Sequence, residues 1–197
     1  MIVKEKNQNY IMNKNLINSF EIDYIFEANP INRYKNKPTI ENTNSKLDRL
    51  KLKIQNISNC DLKNNAKQIV FSDGNFKSPI MLVGEGPGQK EDDFGKPFVG
   101  DAGKLLNKML SAINIKRENI YITNVVNYRP PNNRKPEISE INRYSVFLRE
   151  HVSIINPKIL ILMGSTAMEA IFGQKLKISK ERGKWKETII NQKTFLT

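Results

Sequence analysis

The chain has 197 residues, 32 of them Lys or Arg against 20 Asp or Glu, for a formal charge of +12. That length suffices for one α/β core with an appendage and excludes two ordinary domains. The positive field favours nucleic acid as a large partner, although Lys-rich composition also serves solubility alone. The longest strongly apolar run, Ile159 to Met163, falls far short of the roughly 20 residues that cross a bilayer, and no secretory apolar region follows Met1. The single cysteine, Cys60, cannot form an internal disulfide, nor hold zinc or an iron–sulfur cluster by itself. These features predict a monomer in a reducing cytoplasm, without membrane contact and without a metal.

Residues 1–45 read as an Asn-rich helical extension and linker, and residues 46–197 as the folded domain; 14 Asn fall within the first 65 positions. Leu16, Ile17, Phe20, Ile22, Tyr24, Ile25 and Phe26 supply an apolar segment that stops at Asn29-Pro30, and a polar linker runs from about Tyr34 to Ser45. Leu47, Leu50, Ile54 and Ile57 then recur at helical spacing. From Pro79 the pattern changes. Ile80 to Val83, Tyr121 to Val126 and Lys158 to Met163 are short apolar runs suited to buried parallel strands, and a last strand is expected over Thr188 to Thr197. Between them lie helical stripes, one of Leu105, Leu106, Met109, Leu110 and Ile113, the other of Ile141, Tyr144, Leu148, Val152 and Ile155. Thr166 to Glu169 fits a capping box and Gly173 a helix stop. Strands alternating with helices predict a three-layer α-β-α fold around a central, mostly parallel four-stranded sheet, with ligands beyond the carboxyl ends of its strands.

Two segments fall at that edge. Gly84-Glu85-Gly86-Pro87-Gly88 follows the first strand, where glycines let backbone approach a ligand closely. It is neither G-x-x-x-x-G-K-[ST] nor G-x-G-x-x-G, so phosphate-loop and dinucleotide chemistry lack their signatures. An Asn- and Arg-rich segment follows the second strand.

The longer string is more specific: GEGPGQKEDDFGKPFVGDAGKLLNKML, then YITNVVNYRPPNNRKP, ILILMGSTAMEAIFG and ISKERGKW. In this order the motifs resemble the family-4 uracil-DNA glycosylases, from about Cys60 to the last residue. The earlier stretch is similar to the helical extension of an α-proteobacterial branch of that family.

The resemblance implies an enzyme that extrudes uracil from DNA and hydrolyses its N-glycosidic bond, opening base-excision repair. Phe98 matches the ring that stacks on the flipped base; outside this motif it would read as core. Asn124 matches the asparagine whose amide both donates and accepts, and so tells uracil from cytosine; the bland alternative is an Asn that closes the strand end. Glu85 matches the glutamate that orients or activates water. Gly86 lies where a side chain would affect whether thymine's methyl fits. Glu91 and Asn133 match further site positions, with helix or turn capping the alternative for Glu91 and Asp92. Arg129, Arg134, Lys180, Arg182, Lys184 and Lys186 are candidates to meet DNA phosphates, each of them equally explicable as a solvated surface charge.

Two departures follow. The family's four cluster ligands fall on Ile57, Cys60, Tyr128 and Tyr144, of which one is a thiol, so no 4Fe-4S cluster is expected and the tyrosine rings should fill its space. The family also continues past the last strand into a His-Pro-Ser-like motif, whereas Thr197 falls about one residue upstream of it. The sole histidine, His151, sits in the helical stripe instead. The expectation is therefore an impaired glycosylase; the alternative is a truncated or decayed, catalytically inactive DNA-binding relative.

Overall fold

A computed structural model describes residues 42–197; the expected amino-terminal helix, and the linker as far as residue 41, lie outside the described residues. The first described helix, α1 (Thr43–Gln55), starts where Asn42 Oδ1 accepts the Ser45 amide at 2.9 Å, inside the range expected as linker. Leu47, Leu50 and Ile54 face the core, whereas Ile57 follows the helix and packs from its end. A short α2 (Asp61–Asn65) and an edge strand β1 (Asp73–Gly74) lead into β2 (Ile80–Gly84).

After β2 come α3 (Gln89–Phe94), α4 (Asp101–Ala112) and β3 (Tyr121–Asn124); then α5 (Ile138–Ile155), β4 (Ile159–Leu162), α6 (Ser165–Phe172), α7 (Ile178–Glu181), β5 (Glu187–Ile190) and β6 (Lys193–Leu196). Among the described residues the strands form one sheet in the order β1-β3-β2-β4-β6-β5. The expected parallel four are its centre, β3-β2-β4-β6, and β1 and β5 add antiparallel edges.

β2 shows why this sequence makes three layers. Met81 and Val83 join the larger core with α1, α5 and α6, while Leu82 joins Leu106 and Leu110 of α4 on the opposite face. Each fully buried aliphatic side chain here contributes about 1.5–3 kcal/mol. The α5 stripe is buried as its spacing predicts, from Ile141 to Ile155.

Three expectations are corrected. The last strand is a hairpin: Asn191 and Gln192 both take left-handed φ, 49° and 65°, the geometry of a tight primed turn, and split the segment into β5 and β6. The α4 stripe is narrower than read. Gly103, Leu106 and Leu110 face the sheet, whereas Leu105, Met109 and Ile113 are about 60 % exposed on the next ridge. The capping box at Thr166 does not form. Gly164 caps α6 with φ 102°, and Thr166 lies inside the helix, fully buried. The helix stop at Gly173 is as expected, with φ 70° and its amide bonded to the Glu169 carbonyl at 2.9 Å.

Candidate functional site

Parallel register places Gly84 beside Asn124 at the carboxyl ends of β2 and β3. Pairing continues past the strands, with the Val125 amide on the Gly84 carbonyl at 2.9 Å and the Val126 amide on the Glu85 carbonyl at 3.2 Å. Against this corner sits the Phe98 ring. A Cβ added to Gly84 would lie 2.5 Å from Asn124 Oδ1 and 2.5 Å from Phe98 Cζ, so aromatic ring and amide meet over the glycine backbone. A side chain at position 84 would therefore displace both groups from this corner.

Asn124 is 3 % exposed, and its Nδ2 is buried without a hydrogen-bond partner. An unpaired buried donor costs about 1–3 kcal/mol, so such groups demand an explanation. Phe98 is half-buried and holds φ 53°, a left-handed backbone uncommon for a residue with a Cβ. An orphaned donor and a strained aromatic thus meet at one corner.

Glu85 is exposed beside this corner, and the Thr166 hydroxyl donates to its Oε2 at 2.5 Å. Thr166 was read from the sequence as a cap; no local signal distinguishes a capping threonine from one turned toward a neighbouring strand end. Gly86 follows Glu85 in the same loop, with Val126 and Pro136 as its protein neighbours. A Cβ there would come within 2.7 Å of Val126 Cγ2, so the lack of a side chain is required by that methyl group.

Glu91 acts inside the loop. Its Oε1 accepts the amides of Val99 and Gly100, at 2.9 and 2.7 Å, and its Oε2 accepts that of Gly88 at 3.1 Å, tying the glycine-rich loop to the turn that carries Phe98. Asp92, buried, accepts the Lys67 amide at 3.0 Å. Asn133 lies in the loop after β3 with φ 55°, where its Oδ1 accepts from Arg129 Nε at 2.7 Å.

The basic candidates divide. Arg134 makes a paired contact with Glu140, at 2.8 and 2.6 Å, which compensates its charge and holds the Glu140 carboxyl below its ordinary range. Lys180, Arg182 and Lys184 are exposed in and after α7. Lys186 bonds Glu181 at 2.7 Å and lowers that carboxyl's pKa. This segment borders a hollow of about 300 Å³ with Ile161, Met168, Phe172 and Trp185, which lies apart from the Phe98–Asn124 corner.

His151 is remote from this chemistry. It is buried in α5, stacked on Phe71 with centroids 4.6 Å apart and bonded through Nε2 to Tyr121 Oη at 2.7 Å. Burial pushes its pKa down to about 3, so it is neutral at ordinary pH.

The four positions matching cluster ligands lie in one packed region. Cys60, Tyr128 and Tyr144 belong to the larger core, and Ile57 packs against it. Cys60 Sγ lies 3.4 Å from Tyr144 Oη, and burial raises the pKa of both phenols. No group of three or more metal-ligating side chains occurs among the described residues. One thiol among two tyrosines and an isoleucine does not fit an iron–sulfur cluster.

A sequence model of the Uracil DNA glycosylase superfamily matches residues 71–196. The type-4 uracil-DNA glycosylase of Thermotoga maritima is 42 % identical over 132 residues, which are 66 % of this chain and 69 % of the relative. That of Archaeoglobus fulgidus is 40 % identical over 142 residues, 70 % of this chain and 71 % of the relative. The type-5 uracil-DNA glycosylase of Pyrobaculum aerophilum is more distant, 27 % identical over half of each chain. The chain belongs to the uracil-DNA glycosylase superfamily.

Proposed function

We propose that this protein removes uracil from DNA by hydrolysing the N-glycosidic bond, and that the corner of Gly84, Phe98 and Asn124 receives the extruded base. One observation carries the reading: the buried Asn124 Nδ2 has no partner, at the place where a Phe98 ring offers a flat face. Uracil presents a carbonyl O4 and an N3–H on its pairing edge, to which the Asn124 amide answers with a donor and an acceptor. Cytosine presents an amino group and a bare N3 instead, and meets the same amide with both polarities reversed.

In the reaction the C1′–N1 bond breaks, its electron pair remaining on uracil as the anion. A water oxygen bonds to C1′ and its proton passes to a base or to solvent. Glu85 stands at the end of β2, its carboxylate held by Thr166, where it would orient that water or offset positive charge on the sugar. Charge growing on the base meets the Asn124 amide. His151, buried and neutral on α5, takes no part.

Glu91 is read as a strut for the base-stacking turn, on its three backbone contacts. Arg129, Lys180, Arg182 and Lys184, the last 3.9 Å from Glu181, are the cations assigned to DNA phosphates, and Arg134 is assigned to holding its loop through Glu140. We further propose that the enzyme works without an iron–sulfur cluster, a reading supported by the ring packing around Cys60.

The test is incubation of purified protein with single- and double-stranded oligonucleotides carrying one uracil, followed by alkaline cleavage at abasic sites. Strand scission at the uracil position, and none with cytosine or thymine there, is the expected result. Absence of scission at enzyme in excess over DNA overturns the reading.

A further inference from the structure

The Phe98 turn needs an external restraint. A non-glycine residue at φ 53° sits in a sparsely populated region, and such conformations persist only where surroundings enforce them. Part of the enforcement is steric: a Cβ on Gly103 would lie 1.9 Å from the Phe98 carbonyl oxygen, so α4 presses directly on that backbone.

Glu91 holds the following amides of Val99 and Gly100, and one guanidinium holds the carbonyls of the turn itself. Arg117 Nη2 donates to the Pro97 carbonyl at 2.7 Å and Nη1 to the Phe98 carbonyl at 3.1 Å, so its planar fork bridges two consecutive peptide groups of the turn. Nη1 also reaches Asn107 Oδ1 on α4 at 3.1 Å, and Nε donates to Asp73 Oδ2 at 2.9 Å. Asp73 is itself fixed by the pairing of β1 with β3, opposite Ile122. Both partners of this ion pair are three-quarters or more buried.

We propose that Arg117 is a positioning residue of the glycosylase, setting the Phe98 ring against Gly84 and Asn124 before any base arrives. Its donors are directed at the Pro97 and Phe98 carbonyls, Asn107 and Asp73, so it acts through Phe98 rather than on the nucleobase. The edge strand β1 gains a role from this: it delivers the carboxylate that anchors the clamp. The inference rests on Phe98 being the stacking platform of the proposed function.

The test compares wild type with Arg117→Met, Arg117→Lys, Phe98→Ala and the double variant, by excision kinetics and by NMR of the free protein. Arg117→Met is expected to lower kcat/KM roughly 10- to 100-fold, the scale of a misplacement near 1 Å. Arg117→Lys should recover little of it, because one ammonium cannot bridge two carbonyls. Added to Phe98→Ala, the Arg117 change should cost less than about 2-fold more, since its partner in action is already gone. The nuclear Overhauser contact between the Phe98 ring and the Gly84 α-protons should weaken in Arg117→Met while the core spectrum is retained.

A full additive loss on the Phe98→Ala background, or an unchanged ring contact, overturns the proposal. If Arg117→Met does not fold, Asp73→Asn carries the same test, a weakened contact supporting the clamp and an unchanged one overturning it. Wild type that excises no uracil defeats the functional reading instead, and the ring contact still decides whether Arg117 sets Phe98.

Discussion

Two corners of this domain solve the problem of buried polar groups in opposite ways. At the carboxyl ends of β2 and β3 the fold buries an amide donor without a partner and holds an aromatic residue in left-handed backbone. Around Cys60 the thiol meets the Tyr144 hydroxyl, and the two tyrosine rings sit inside the main core. The first corner keeps an unpaired donor and a strained backbone; in the second the thiol has a partner and aromatic rings fill the space. Substitutions should therefore separate activity from stability. Tyr144→Ala, which empties the space of a fully buried ring, is expected to cost about 3–5 kcal/mol in urea unfolding while leaving kcat per folded molecule near wild type. A kcat that fell with stability would join the two corners and end the contrast.

Asn124→Ala should do the reverse. Removing the amide deletes an unpaired buried donor, so the unfolding midpoint is expected to hold or rise. The rate of uracil excision should fall about 10²- to 10³-fold, as on removal of a preorganised donor to a developing anion. Single-turnover excision and urea titration of the same preparation check both halves.

The sequence displayed the ligand corner and the packed corner unequally. Ordered motifs around Phe98 and Asn124 marked them as a site, and the apolar runs predicted the four parallel strands, because periodicity and motif spacing are local properties. Gly84 meeting both side chains, the Arg117 clamp and the Thr166 contact are products of register and of chain segments brought together from afar. Thr166 shows the limit well: its spacing to Glu169 fits a cap, and only the placement of α6 beside β2 turns its hydroxyl to Glu85. The split of the last segment was hidden because Asn191-Gln192 lacks the glycine that usually announces a two-residue turn.

Acid should sharpen the comparison further. The folded pKa of His151 is near 3 against an ordinary 6.5, so below pH 6.5 the unfolded chain takes up a proton that the native state refuses. Stability is thus unaffected above pH 6.5 and falls by about 1.4 kcal/mol per pH unit between there and pH 3 from this group alone. Urea midpoints at pH 7 and pH 5 should differ accordingly in wild type and much less in His151→Gln, whose own lost packing lowers both values. Equal slopes in the two proteins would remove His151 as the source.

The smallest effect is expected at Thr166, and it tests whether the Glu85 carboxylate belongs to the ligand corner at all. Thr166→Val keeps shape and removes the hydroxyl that donates to Oε2, leaving the carboxylate free to turn into solvent. A charge-assisted hydrogen bond of this kind contributes about 1.5–3 kcal/mol, part of which water restores at an exposed carboxylate. The result should be a loss of about 10-fold in kcat with KM little changed, because Glu85 is assigned to water and sugar rather than to holding the base. Thr166→Ser, which returns a donor without the methyl group, should recover most of that rate. A rise in KM at constant kcat would instead place Glu85 in ground-state binding, and the water would then have to be oriented by another group.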